Sequence, residues 1–157
     1  MEKMISYQIA KTPLEFESGK MLFEEYVRSL NVDLSFQDIS KELENIQIQY
    51  GKPEGVLLLV CDGDKFIGCS GVRKLDQVTA ELKRMYVKNE YRGYQIGKSL
   101  LERSIELAKQ LGYTKIRLDT LKNMSSAQKL YSSFGFYEIL PYRFNPLPGT
   151  IYMEKKL

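Results

Sequence analysis

The 157-residue chain has no histidine, no tryptophan and only two cysteines, and its net charge is just +3. Each scarcity excludes something. Without histidine the commonest general base is missing, so any proton transfer falls to Glu, Asp, Lys, Tyr, Cys or water. Cys61 and Cys69 lie on two apolar runs, 56–61 and 66–73, joined by Asp62-Gly63-Asp64-Lys65. A hairpin turning there sets Cys69 opposite Leu58. Leu58 and Cys61 are separated by an odd step, which sends the two sulfurs to opposite faces. No disulfide is expected, and a reducing, cytoplasmic setting follows. The longest apolar run, 56–61, is too short to cross a bilayer. Residues 1–7 carry charge early with no apolar segment behind them, unlike a secretory leader. Lys and Arg are interleaved with Asp and Glu, which sets aside nucleic acid and membrane as partners. The small positive excess can still attract a polyanion.

What is present suits one globular domain, 1–157, of ordinary apolar content. A short strand is expected over 6–11, ended by Thr12-Pro13. Pro13 opens a helix carrying Leu14, Met21, Leu22 and Val27. Ser35 is a candidate N-cap for a second helix through Ile39, Leu43 and Ile46, which Gly51-Lys52-Pro53 breaks. The hairpin 56–61 and 66–73 follows, then a longer strand over 79–87. The strongest helix spans 95–111, with Ile96, Leu100, Leu107 and Leu111 on one stripe and Gly112 at its C′ position. A strand over 115–120, a helix over 125–134 closed by Gly135, Pro-rich turns at Pro141, Pro146 and Pro148, and a strand over 150–154 complete the chain. The order is β-α-α-β-β-β-α-β-α-β-β. It describes an α/β fold with a mixed central sheet and flanking helices.

The turn entering the strongest helix reads Met85-Tyr86-Val87-Lys88-Asn89-Glu90-Tyr91-Arg92-Gly93-Tyr94-Gln95-Ile96-Gly97-Lys98-Ser99. Free amide groups and the positive end of the helix dipole make such a turn an anion site. Gly93 and Gly97 let the backbone approach a phosphate, while Arg92 and Lys98 add charge. Glycines that merely permit a tight turn would look the same. The stretch Gly93–Ser99 is also one residue short of a nucleotide phosphate loop. The missing residue changes how many amides can wrap a phosphate, and the hairpin upstream does not suit a doubly wound nucleotide fold.

Arg92-Gly93-Tyr94-Gln95-Ile96-Gly97 resembles the R/Q-x-x-G-x-G/A coenzyme A signature of the GNAT superfamily of N-acetyltransferases. Ala127-Gln128-Lys129-Leu130-Tyr131-Ser132-Ser133-Phe134-Gly135-Phe136 resembles that superfamily's A-x-x-L-Y-x-x-x-G-F segment. The order of elements matches as well. Gln95 departs from the pattern, where glycine is usual. The resemblance extends to a bacterial subgroup through Asp119-Thr120-Leu121, Met124, and Pro141-Tyr142 to Thr150. It implies a GNAT-type fold and transfer of acetyl from acetyl-CoA to a primary amine of a small molecule or peptide. It implies no metal and leaves a homodimer open. Two other readings remain at this point: a non-catalytic acyl-CoA-binding module and a phosphate-loop nucleotide-binding protein.

Acyl transfer from a thioester needs a positioned amine, a proton acceptor, oxyanion donors and help for the departing thiolate. The resemblance implies donors on the backbone of Met85, Tyr86 and Val87, where GNAT sheets part. It implies coenzyme A contacts along Arg92, Gly93, Tyr94, Gln95, Ile96, Gly97, Lys98 and Ser99, with Asn123, Ala127 and Tyr131 beside the cofactor. Asn123 is equally a helix cap. Glu81 is the candidate base, facing away from the apolar residues Val78, Ala80 and Leu82; pairing with Lys83 or Arg84 is its alternative. A carboxylate near pKa 4.3 faces an amine near 10.4, a gap of roughly 8 kcal/mol that a desolvated site must narrow. The resemblance makes Tyr131 the candidate acid, with a tyrosine packed under the sheet as the alternative; phenol and thiol differ by only about 2 kcal/mol, so its hydrogen bond can stabilise the leaving thiolate. Arg143, in the loop Tyr142-Arg143-Phe144-Asn145, suits a substrate carboxylate or plain solvent. Tyr26, Phe36 and Tyr50 are expected on the acceptor side.

Overall fold

A computed structural model describes residues 2–31 and 38–157. The strands are β1 (Ile5–Ile9), β2 (Val56–Asp62), β3 (Lys65–Lys74), β4 (Thr79–Val87), β5 (Lys115–Leu121), β6 (Tyr137–Ile139) and β7 (Thr150–Lys156). The helices are α1 (Pro13–Leu30), α2 (Ile39–Glu44), α3 (Ile46–Gln49), α4 (Ile96–Gln110) and α5 (Ser125–Ser133). One sheet runs in the order β1-β2-β3-β4-β5-β7-β6. All neighbours are antiparallel except β4 and β5, which gives the mixed sheet expected. A doubly wound nucleotide fold has a mostly parallel sheet, so the phosphate-loop reading falls here.

Helix boundaries follow local chemistry. Thr12 caps α1: its Oγ1 accepts from the Glu15 N–H at 3.2 Å and its own N–H donates to the Glu15 carboxylate at 3.0 Å. This reciprocal box, with Pro13 at the first turn, ends the strand and starts the helix together. The second helix is shorter than expected. Asn45 leaves helical geometry at φ −108° and donates its side-chain amide to Lys41 O, so α2 and α3 are separate. Ser35 and Phe36 lie outside the described residues.

The two faces of the sheet carry different cores. Ala80, Leu82, Ile116 and Leu118 pack beneath Leu101 and Ile105 of α4, while Leu57 and Leu59 meet Phe16, Phe23 and Tyr50 on the α1 side. Each such buried side chain contributes about 1.5–3 kcal/mol of burial. The alternation that turns Glu81 away from Ala80 and Leu82 therefore delivers it to the α1 side.

Two irregularities matter. The β2–β3 register shifts at Val60/Cys61, so Cys69 pairs with Leu59, not Leu58 as expected. The extra residue of a bulge is invisible to alternation. Both cysteines are nevertheless free and buried. A second bulge lies between β3 and β4, where Gly71 pairs with Lys83 but Cys69 pairs with Tyr86. It is absorbed at Arg84, whose φ is +56°, and the Cys69 thiol donates to the Arg84 carbonyl at 3.4 Å.

Helices α4 and α5 end alike. Gly112 N–H donates to Lys109 O and Tyr113 N–H to Ala108 O; Gly135 N–H donates to Ser132 O and Phe136 N–H to Tyr131 O. Gly135 sits at φ +91°, and the Tyr131 and Phe136 rings meet at 5.8 Å. This is a glycine-terminated Schellman motif with its apolar contact. It gives the Gly135-Phe136 pair a physical reason: the pair stops α5 and locks the Tyr131 ring. Replacing Gly135 with Ala should cost about 1 kcal/mol in chemical denaturation, with a smaller cost at Gly63, where an added Cβ meets nothing and no helix ends.

Candidate active site

The site is built where β4 and β5 part. Their ladder consists of Thr79–Lys115, Ala80–Ile116 and Glu81–Arg117, and then stops. Past Glu81, the β5-facing edge of β4 has no ladder partner, and this stretch contains Met85, Tyr86 and Val87. Met85 turns partly into the core on the α4 side. Tyr86 turns to α1, where its hydroxyl donates to Glu25 at 2.6 Å.

Beyond β4 a short 3₁₀ turn, Asn89–Tyr91, leads into α4. Gln95 is the N-cap residue, at φ 59° and ψ 22°, and no side chain caps the helix. The departure from the glycine pattern is thus absorbed by the backbone: Gln95 takes the left-handed geometry that glycine favours. The amides of Ile96, Gly97 and Lys98 have no helical acceptor. Arg92 and Lys98 are exposed beside them. A side chain at Gly93 would meet nothing, and one at Gly97 only the Leu130 tip at 4.0 Å. Packing therefore does not require glycine at either position, which leaves room for close approach by a ligand. The fit to a pyrophosphate is good: bare amides, a helix dipole and two cations.

Glu81 has no exposed surface. Arg73 Nε donates to its Oε1 at 3.0 Å, the Tyr142 hydroxyl donates to its Oε2 at 2.8 Å, and Arg143 Nη2 holds the same oxygen. Burial alone would raise its pKa, but Lys83, Arg73 and Arg143, with the Tyr142 hydrogen bond, outweigh that and hold it at about 2. Such a carboxylate is a poor proton acceptor at neutral pH. Both oxygens of the carboxylate expected to act as base are engaged: Arg73 of β3 holds Oε1, while Tyr142 and Arg143 fold back from the loop before β7 onto Oε2. Arg143 is likewise neither solvated nor free for substrate through this nitrogen. Glu42 is committed too, held by Arg84 at 3.1 Å and by the Tyr50 hydroxyl at 3.1 Å. Tyr50 is fully buried against Phe23.

Tyr131 is buried on α5, and burial pushes its phenol well above 10. It therefore stays protonated. Among the described residues its hydroxyl has no hydrogen-bond partner. Ala127, one turn earlier, packs on the α4-side core. Asn123 is exposed and does not cap α5, whose N-cap residue is Met124 without a side-chain bond. Asn123 instead borders an open groove with Leu121 and Pro148.

Tyr26 lines a small cavity of about 40 Å³ at the parting of the strands, together with Arg84, Asp119, Met124, Asn145 and Thr150. Asp119 and the buried Lys83 enter this neighbourhood without having been singled out for chemistry. Lys83 stands two residues on from Glu81, away from Ala80 and Leu82, a pattern that signals a second polar position on the same face. Nothing local separates Asp119 from a solvated strand residue.

Residues 20–136 match the Acetyltransferase (GNAT) family, and the chain belongs to it. It is 37% identical over 155 residues to an uncharacterised N-acetyltransferase of Schizosaccharomyces pombe, covering 98% of this chain and 95% of that protein. A GNAT-family acetyltransferase from Staphylococcus aureus is similar in structure, with TM-score 0.77 and 28% identity over 98% of this chain and 99% of that one. The PaiA N-acetyltransferase of Thermoplasma acidophilum, solved in complex with coenzyme A, shares the fold at TM-score 0.69 and 22% identity, over 97% and 99% of the two chains. The protein is thus an acetyltransferase. No helix among the described residues is long and apolar enough to cross a membrane.

The depressed Glu81 carboxyl links stability to acid. Its folded value of about 2 lies below the ordinary 4.5, so its contribution is complete above pH 4.5 and is lost as pH falls through 2. That loss is about 3 kcal/mol. Urea unfolding between pH 6 and 2 should show it in the wild type, and a markedly flatter profile in Glu81→Gln.

Proposed function

We propose that the protein moves the acetyl group of acetyl-CoA to a primary amine of a small molecule or peptide by direct attack on the thioester. The observation that carries this reading is the ladder ending at Glu81–Arg117 beside the uncapped start of α4. A parted edge of β4 can receive the thioester while the helix start takes the pyrophosphate. The PaiA N-acetyltransferase, which shares this fold, was solved in complex with coenzyme A, which supports coenzyme A as the cosubstrate.

In this reading Arg92, Gly93, Tyr94, Gln95, Ile96, Gly97, Lys98 and Ser99 hold the pyrophosphate. Asn123 and Ala127 flank the pantetheine arm. Backbone amides among Met85, Tyr86 and Val87 face the carbonyl oxygen, which gains negative charge as the amine attacks. Tyr131 keeps its proton at neutral pH and has a free hydroxyl, the condition for donating to the departing sulfur. Glu81 anchors Arg73, Tyr142 and Arg143 rather than taking a proton.

Gly97→Val places a branched side chain where the phosphate would lie and should weaken coenzyme A binding at least tenfold by calorimetry. Unchanged affinity would remove the pyrophosphate from this turn. Tyr131→Phe should leave coenzyme A affinity intact and slow turnover several hundredfold, the effect of losing one donor to developing charge, about 3–4 kcal/mol. A donor with a more acidic thiol should suffer less. Equal slowing of both donors would make Tyr131 a packing residue. A chain that binds acetyl-CoA yet releases no coenzyme A with any of a broad panel of amines would be a binding module instead.

A further inference from the structure

Four buried or half-buried carboxylates around the site are committed to cations or hydroxyls. Glu42 holds Arg84 and Tyr50, and Glu81 holds Arg73, Tyr142 and Arg143. Glu25 holds Tyr86 and Lys88, and Glu154 holds Arg117 and Tyr137. Asp119 differs. Its Oδ2 is shut off from solvent and has no hydrogen-bond partner among the described residues. A buried acceptor left unmatched in a native fold calls for a group that is not part of the chain.

Its position says which group. Asp119 lies on β5 just past Arg117, the last residue in register with β4, and so flanks the parting of the strands. It pairs with Tyr152 of β7 and borders the 40 Å³ cavity with Tyr26, Arg84 and Asn145. That space is large enough for one water or one ammonium-sized group. Tyr26 and Tyr131 both feel the Asp119 charge. The carboxylate is thus close to the tyrosine assigned to the thiolate.

We propose that Asp119 is the residue that receives the acceptor: its Oδ2 binds the incoming amine at the parting of β4 and β5 and accepts the proton that the nitrogen sheds. The assignment rests on the acetyl-transfer reading given above. An amine arrives as R–NH₃⁺, and one proton passes to Oδ2. The freed nitrogen lone pair forms the bond to the acetyl carbon, and the carbon–sulfur bond breaks with its electron pair on sulfur. The second nitrogen proton neutralises the thiolate by way of Tyr131, and Asp119 releases the first proton to solvent. Amide and coenzyme A thiol are the products.

The surroundings favour that first proton loss. Lys83, on the adjacent strand, meets no carboxylate within ion-pair distance among the described residues. Burial, with Arg84 beside it, lowers its ammonium to about 8 against the countervailing pull of Glu81 and Asp119. A substrate ammonium at Asp119, with Arg84 on the cavity wall and Lys83 near by, is pressed in the same direction. The groups that border Asp119 or feel its charge are Lys83 and Arg84 from β4, Tyr26 from α1, Tyr131 from α5, Tyr142 from the loop before β7, and Tyr152 from β7. None of them is a second carboxylate, and Lys83, at about 8, is mostly protonated at neutral pH.

The test compares wild type, Asp119→Asn and Asp119→Ala with acetyl-CoA and the amine that wild type acetylates fastest in a panel. Asp119→Asn should lower kcat/KM for the amine by about 10²–10⁴, leave coenzyme A affinity within twofold, and melt at or above the wild-type temperature, because no internal bond is lost. Formate or acetate should restore a measurable part of the rate to Asp119→Ala. Wild-type turnover by Asp119→Asn overturns the assignment. So does a loss of melting temperature in parallel with activity, which would make Asp119 a structural residue. Failure of the acetyl-transfer reading is separate and shows in wild type alone, as absence of coenzyme A release.

Discussion

The site depends on one constraint: β4 and β5 stay paired for three residues and then must separate. Parallel strands gain a hydrogen bond with each further pair, so parting requires something better on either side. The bulge at Arg84 twists β4 away from the direction β5 would follow. The α4-side core, through Leu82 and Leu118, fills the space beneath the diverging strands. On the α1 side the bound charges of Glu81, Arg73 and Arg143 tie β3, β4 and the loop before β7 together at the point where the ladder ends.

That ionic cluster is an expensive way to hold strands. Desolvating charges can cost as much as their attraction returns, while removing one partner of an intact pair costs about 3–5 kcal/mol. The cluster is therefore better understood as a device for position than for stability. It fixes where β4 stops following β5, and it keeps Glu81 ionised with both oxygens engaged.

Much of this was legible in the chain. The α4 start announced itself because glycines, cations and a strong helical stripe are local signals, and the Ala127–Phe136 segment did so because a Schellman ending is written in adjacent residues. Glu81 shows the limit. Alternation placed it on the correct face, but its partners Tyr142 and Arg143 stand 61 and 62 residues away, and no local pattern reports that they return. The Cys69 register failed by one residue because a bulge adds a residue without a composition cue. Asp119 went unassigned for a related reason: an unmatched oxygen is a property of everything around it, and only the folded chain reveals what is missing.

The long reach of those two contacts bears on how the protein comes into being. Strands β3 and β4 can pair soon after they are made, since their partners are near in sequence. Glu81 then lies against Arg73 alone, with one oxygen still needing company, until the segment beyond α5 has left the ribosome and folded back. Contacts of such separation form late and slowly. The nascent sheet thus passes through a period in which its central carboxylate is wet or half-paired, and completion of the interior waits on the loop before β7. Assembly of the core and assembly of the site are, in this chain, the same final event.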